Sequence, residues 1–256
     1  DNLNVPVPEH IAVNSSSLPI ELKAPMPWIV KPADSQSNIG ITKISSISEY
    51  SGAVELALSK SKKYEAIIEE FFVGTEFVCE GFIYKGKYYN LMFGDRRYFE
   101  GTLLPCQTLF PTNILPESIQ NQIIDCETKI AAEVNPCFGI VHSEYLVNLE
   151  TGEFRIIDTA LRGGGVYISS HLVPLTTNID INTVLLNCAL GEEIAIDKIM
   201  SNMKVKASAY VCFNLPEGVI NTVAGIDEVK AMPNVAFFDD SSIKVGLHTG
   251  KMEVKG

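Results

Sequence analysis

"HSEYLVNLETGEFRIIDTALRGGG", residues 142–165, reads as two apolar strands folded back on a short turn. Glycine at the third position of "ETG" (150–152) suits a three-residue hairpin loop, which needs a left-handed residue there. With Leu149 paired to Glu153, the antiparallel register carried back along both strands sets Glu144 directly opposite Asp158. Directly opposed residues share a sheet face, with β-carbons about 4.5–5.5 Å apart. Two carboxylates that close are unfavourable unless something positive lies between them or one keeps its proton. A divalent cation meets the need most simply, and magnesium favours carboxylate oxygens together with phosphate oxygens. The competing reading is a solvated pair on an exposed hairpin, and a one-residue register slip would separate the two side chains. The apolar neighbours Ile156 and Ile157 favour the metal. Beyond Asp158 come Arg162, a planar cation suited to gripping a carboxylate or phosphate, and the bare backbone of Gly163–Gly165.

Around this stretch the composition is that of a globular chain: 256 residues, 46% hydrophobic, with a net charge of −11. The negative balance argues against a nucleic-acid or anionic-membrane surface, though not against a nucleotide, which needs only a few local cations. The six cysteines are scattered, without a CxxC pair or zinc spacing, and read as buried free thiols in a reducing compartment. No apolar run approaches the ~20 residues of a membrane span. The expectation is a soluble, cytoplasmic protein. The chain opens on "DNLNVPVPEH", without Met, and reads as an excised piece of a longer one.

Strand-like runs alternate with a few helices. "PWIVKP" (27–32) reads as a strand ending in Lys31, and "ADSQSNIG" (33–40) as a mobile loop of small residues. A lysine before such a loop can grip phosphate while Ser35, Ser37 and Gly40 let backbone N–H groups approach; surface decoration is the plainer alternative. Ser46 and Glu49 stand at capping-box spacing before a helix over 46–61. "EAIIEEFF" and "TEFVCEGFIY" read as strands placing Glu69, Glu70 and Glu76 around a turn, and "GFIYKGKYYNLMF" as a hairpin. Arg96 and Arg97 follow the hydrophobic strand and could reach phosphate or simply be solvated. Ile119, Ile123, Cys126, Ile130 and Val134 predict an amphipathic helix over 116–135. A further helix is predicted over 179–191, with Asp180 as N-cap and Gly191 just past the end. His142 shares a face with Glu144 in the hairpin, where it could line the site or be structural. From about residue 205 the pattern turns strand-rich.

In order and spacing, "PWIVKPADSQSNIG", "AIIEEFFVGTEF", "FGIVHSEYLVN" and "FRIIDTALRGGG" resemble the ATP-grasp superfamily. The resemblance is to its carboxylate–amine ligases, of the L-amino-acid ligase and carbamoyl-phosphate-synthase-like kind. It implies an α+β fold, two α+β lobes with antiparallel sheets enclosing ATP. The divisions would be a small lobe with its lead-in (1–73), a large lobe carrying the metal site (74–204), and a truncated strand-rich C-terminal part (205–256). The resemblance assigns Lys31 and the loop with Ser35, Ser37 and Gly40 to the ATP phosphates. The backbones of Glu70 and Phe72 go to adenine and Glu76 to the ribose, with Glu69 and Arg97 among the nucleotide-binding residues. Glu144 and Asp158 match the Mg2+ (or Mn2+) acids, and Arg162 the arginine that steadies the substrate carboxylate or acyl phosphate. Small carboxylate and amine substrates follow as partners, with an N-terminal domain of the same chain and a homodimer among the admissible assemblies; nucleic acid and membrane do not. Asp158 stands where Glu is usual and Ala160 where many members carry Asn. These departures keep open a rival, an ATP-binding module whose catalysis has decayed; phosphorylation of bicarbonate or carbamate stands beside it as the rival enzyme chemistry.

Overall fold

The computed structural model describes residues 3–17, 22–35, 39–100, 105–213 and 215–249. Two antiparallel sheets organise them. The first half of the chain supplies β1 (His10–Val13), β2 (Trp28–Pro32), β3 (Thr42–Ile44), α1 (Tyr50–Lys60) and β4 (Ala66–Glu70), and the strands form a sheet ordered β1-β4-β2-β3. Alternation along β2 buries Trp28 and Val30 with Ile44, Ile68 and the α1 residues Val54 and Ala57. The same alternation turns Lys31 to the opposite face. The expected Ser46–Glu49 capping box forms, the Glu49 carboxylate accepting the Ser45 and Ser46 backbone N–H groups at 2.7 and 3.0 Å. It caps a 3-10 turn (Ile47–Glu49) that leads into α1, so the helix expected over 46–61 is α-helical only from Tyr50 to Lys60.

Residues 71–74 carry the chain into a second, six-stranded sheet. Its strands are β5 (Thr75–Tyr84), β6 (Lys87–Tyr98), β7 (Pro105–Phe110), β8 (Phe138–Val147), β9 (Phe154–Ala160) and β10 (Ser208–Val211), ordered β10-β7-β6-β5-β8-β9. β5 and β6 form the hairpin expected around "KGK", turning on Lys85 and Gly86, both at positive φ (51° and 73°), as a two-residue hairpin turn requires. One face of this sheet is sealed by α2 (Glu117–Val134), which buries Ile119, Ile123 and Cys126 against Phe77, Tyr145 and Ile156. The apolar stripe predicted for α2 drifts out of the core at its far end. Glu127 and Ala131 are buried there, and Val134 is half exposed. Glu127 can go inside because its carboxylate accepts the Tyr145 hydroxyl at 2.5 Å.

Half of the other face is covered too. A π-helical turn (Ile168–Leu172) leads into α3 (Val173–Thr177), followed by α4 (Ile181–Ala189) and α5 (Ile196–Ser201), whose apolar residues pack on Val78, Phe82, Met92 and Ile140. Asp180 caps α4 as predicted, accepting the Thr183 N–H at 3.1 Å, and Gly191 follows at φ 81°. The described C-terminal residues beyond β10 form only the short β11 (Gly218–Val219), α6 (Ile226–Lys230) and β12 (His248–Thr249), all without a buried side chain. No described helix is long and apolar enough to cross a membrane. The six cysteines are all free, but only Cys79, Cys126 and Cys188 are buried; Cys106 and Cys212 are half-buried and Cys137 is exposed, against the expectation that all are buried.

The β8–β9 hairpin differs from its predicted turn. Val147 pairs with Phe154, and a longer loop forms in which the Asn148 N–H donates to Glu153 O and the Gly152 N–H to Asn148 O, both at 2.8 Å. The predicted Leu149–Glu153 pair does not form, because the Asn148 side chain accepts the Glu150 and Thr151 N–H groups and holds the wider turn. That change alone would set Glu144 out of step with Asp158. A bulge between Glu144 and Tyr145 restores the step: Tyr145 faces Ile156, Ile157 is the extra residue, and Glu144 stands opposite Asp158 after all.

Candidate functional site

The uncovered half of the large sheet carries the polar groups. Its register puts Val78 beside both Gly94 and Glu144, Glu80 beside His142, and Glu144 beside Asp158, so these side chains share one face. A second bulge decides which arginine joins them. Counting back from the Lys85–Gly86 turn, where Tyr84 pairs with Lys87, would bring Asp95 beside Glu76. Leu91 is an extra residue in β6, so Phe77 pairs with Asp95 and the site face receives Arg96 instead. Arg97, the arginine expected among the nucleotide contacts, is exposed and lies on the opposite face, because neighbours on a strand point oppositely.

Arg96 is the hub of the cluster. Its Nη1 is 2.8 Å from Glu76 and also hydrogen-bonds Glu144, while Glu76 accepts the Tyr98 hydroxyl. His142 bridges two further acids: Nδ1 hydrogen-bonds Glu80, and Nε2 lies 3.3 Å from Glu144. Burial works against the Glu144 carboxylate, yet the hydrogen bond to His142 and the charge of Arg96 hold it down at about 2. Burial would also lower His142, but its bonds to Glu144 and Glu80 lift it to about 9. Glu76 goes the other way: burial raises it, the charge of Arg96 only partly offsets this, and the neighbouring Glu144 charge adds to the rise. Glu144 is therefore a firm anion, and Asp158 beside it is exposed and makes no ion pair among the described residues.

A magnesium ion fits this pair. It commonly takes one or two protein carboxylates and completes its octahedron with water and phosphate oxygens. Two opposed acids, one firmly ionised and one open to solvent, meet that description. Among the described residues no three His, Cys, Asp or Glu side chains converge as a closed metal cage.

The small sheet carries a second set of charged groups. Lys31 and Glu69 lie on the face turned away from α1 and form an ion pair at 2.8 Å. The loop after β2 is anchored by Asp34, which accepts the Lys62 and Lys63 N–H groups at 3.0 Å. Ser35 is exposed, and Ser37 lies outside the described residues. Gly40 has φ 78°, and a β-carbon there would press on Pro32 and Lys60, so the loop's return needs glycine. In the 71–74 linker, Phe72 lies under the Arg155 guanidinium at 4.6 Å, and Arg155 is 3.8 Å from Glu70. The Glu70 N–H is already donated to Glu9 O. Arg162 is exposed, with Nη1 donating to Gly163 O at 2.9 Å. Of the sequence-predicted residues, Glu76, Glu144 and Asp158 gather on one face and Lys31 and Glu69 on another. Arg97 is not brought to the site. Glu80 and Tyr98, not singled out from sequence, belong to it; a count of every second residue from Glu76 along β5 would have found Glu80.

Residues 7–97 match the family model described as D-ala D-ala ligase C-terminus. A D-alanine–D-alanine ligase of Parabacteroides distasonis is 26% identical over 132 residues, 48% of this chain and 38% of that protein. Among solved structures, the L-amino acid ligase from Bacillus licheniformis superposes with a TM-score of 0.70 at 18% identity, covering 90% of this chain and 55% of that one. The biotin carboxylase of Campylobacter jejuni, in complex with β,γ-ATP, gives 0.66 at 15% identity, over 81% of this chain and 47% of its own. A biotin carboxylase domain dimer from Hydrogenobacter thermophilus, bound to MgADP, ADP and bicarbonate, gives 0.67 at 14%, over 84% and 48%. This chain thus spans about half the length of the solved relatives and less of the curated one. What these likenesses show is the fold: an α+β chain with the architecture of the amino-acid ligase and biotin carboxylases it resembles.

Proposed function

We propose that this chain carries the Mg-ATP site of an ATP-dependent carboxylate–amine ligase. The observation that supports the reading most is the Glu144–Asp158 pair, set by a bulge on the same sheet face as Glu76 and Arg96. In this reading Lys31, steadied by Glu69, grips the phosphates, and the loop of Ser35, Ser37 and Gly40 closes over them. The Glu70 carbonyl and the Phe72 N–H meet adenine, since the Glu70 N–H is already engaged. Glu76 holds the ribose hydroxyls. Arg96, rather than Arg97, supplies the cation on the phosphate side, and Arg162 with the glycine backbone orients the substrate carboxylate. Glu144 and Asp158 would hold magnesium, which when bound neutralises phosphate charge.

A carboxylate oxygen of the acid attacks the γ-phosphorus and ADP leaves with the cleaved bond's electron pair. The amine then attacks the acyl carbon, the acyl–oxygen bond breaks, and phosphate departs with that oxygen; the surplus amine proton goes to solvent. The chain's residues position reactants and stabilise charge, and no covalent link to protein is needed. The lobes divide at the 71–74 linker, residues 1–73 against 74–204, and β10 attaches the start of 205–256 to the larger one. A cytoplasmic setting and a homodimer belong to the same reading.

The test is phosphate and ADP release by the full-length protein across a panel of amino acids, small carboxylates and amines, with and without bicarbonate. Release that needs both an acid and an amine, with an amide formed, supports the ligase. Release that needs bicarbonate points to phosphorylation of bicarbonate or carbamate instead. ATP binding without release under any condition points to a binding module.

A further inference from the structure

Glu80 and His142 lie deeper than the groups assigned above. Glu80 is fully buried and His142 nearly so, on the face of the sheet that carries Glu144. A buried carboxylate is retained only when something compensates it. Here one oxygen of Glu80 bonds His142 Nδ1, and His142 passes the contact on through Nε2 to Glu144. The pair also touches the glycine turn. A β-carbon on Gly164 would lie 2.7 Å from both Glu80 Oε1 and His142 Nδ1, so this backbone rests directly against the pair. The imidazole is thereby held between an acid behind it and an acid in front, with both ring nitrogens committed.

We infer that Glu80 and His142 are positioning residues that fix the Glu144 carboxylate for metal binding and hold the Gly163–Gly165 backbone at a set depth beside it. The inference rests on the Mg-ATP reading above. Histidine suits the task because its two nitrogens lie on opposite sides of a rigid ring and can tie one acid to another. Only glycine at 164 lets the turn approach closely enough to be braced by the same pair. Outer groups that orient a metal's carboxylates typically cost 10–100-fold in metal affinity when removed.

The test is Mn2+ binding by the full-length protein with adenylyl imidodiphosphate, read by electron paramagnetic resonance, for His142→Leu, His142→Gln and Glu80→Gln. Ile123→Ala serves as the control, because Ile123 is fully buried on the opposite face of the same sheet and its loss destabilises without touching the site. The expected result is a loss of tenfold or more in Mn2+ affinity for His142→Leu and Glu80→Gln. His142→Gln, which keeps an N–H donor for Glu144, should lose less, and Ile123→Ala should stay within twofold. Should Glu80→Gln fail to fold, the two His142 variants decide. Mn2+ affinity within threefold of wild type for His142→Leu overturns the inference, as does an equal loss in Ile123→Ala. Wild-type protein that binds no Mn2+ overturns the nucleotide reading itself, and this inference with it.

Discussion

Replacing Arg96 with methionine keeps most of the side-chain volume and removes the charge that serves Glu76 and Glu144 together. The Arg96 side chain is only 10% exposed and that of Glu76 11%, so neither partner can turn to water for compensation. Breaking a buried ion pair by deleting one member costs about 3–5 kcal/mol. The lower end applies here, because Glu144 is partly open and keeps His142. For a chain of this size each kcal/mol shifts the melting temperature by about 2–4 °C, so about 3 kcal/mol lowers it by about 6–12 °C. The pH dependence carries a definite sign. Glu144 is held at about 2, below its ordinary 4.5, so its stabilisation is present above 4.5 and lost as pH falls through 2. Glu76 is already raised by burial and rises further without Arg96, so the penalty for ionising it fades as the pH falls. The deficit of Arg96→Met is thus expected to be larger at pH 8 than at pH 5 in thermal unfolding followed by circular dichroism. A drop under 2 °C at pH 8, or a larger drop at pH 5, would refute the placement of Arg96 as the shared counter-ion.

Arg97→Met tests the bulge in β6 from the other side: nucleotide affinity measured by calorimetry should stay within twofold of wild type. Gly94→Ala puts a β-carbon 2.3 Å from the buried Phe110 ring, and overpacking of this kind costs about 1–3 kcal/mol, visible in guanidinium denaturation. Asp180→Ala removes the cap on α4 and should cost about 1 kcal/mol in the same assay, with Mn2+ binding unchanged.

How much of this was legible beforehand depends on the bulges. The Glu144–Asp158 pair was predicted from a turn one residue too short, and it forms because the extra residue at Ile157 cancels that error. Nothing local marks such a bulge in an apolar run, since Ile156 and Ile157 are equally fit for a strand. At Leu91 the same ambiguity hid which of two adjacent arginines faces the site, and the choice fell on the exposed one. Strands and caps carried by strong local chemistry were readable: the Lys85–Gly86 turn, Asp180 ahead of α4, and the Ser46–Glu49 capping box on the turn that leads into α1. Glu127 was not, because its burial depends on Tyr145 arriving from a strand eighteen residues on. Glu80 likewise shows its role only once β8 brings His142 against it.

The measurement that bears most directly on the central claim follows oxygen. Full-length protein supplied with ATP, an amine and its carboxylate substrate labelled with 18O should release phosphate carrying one labelled oxygen for each amide formed. Glu144→Gln and Asp158→Asn should abolish that release. Amide formation with unlabelled phosphate would contradict an acyl phosphate route. Undiminished release by the Glu144 and Asp158 variants would contradict the site itself.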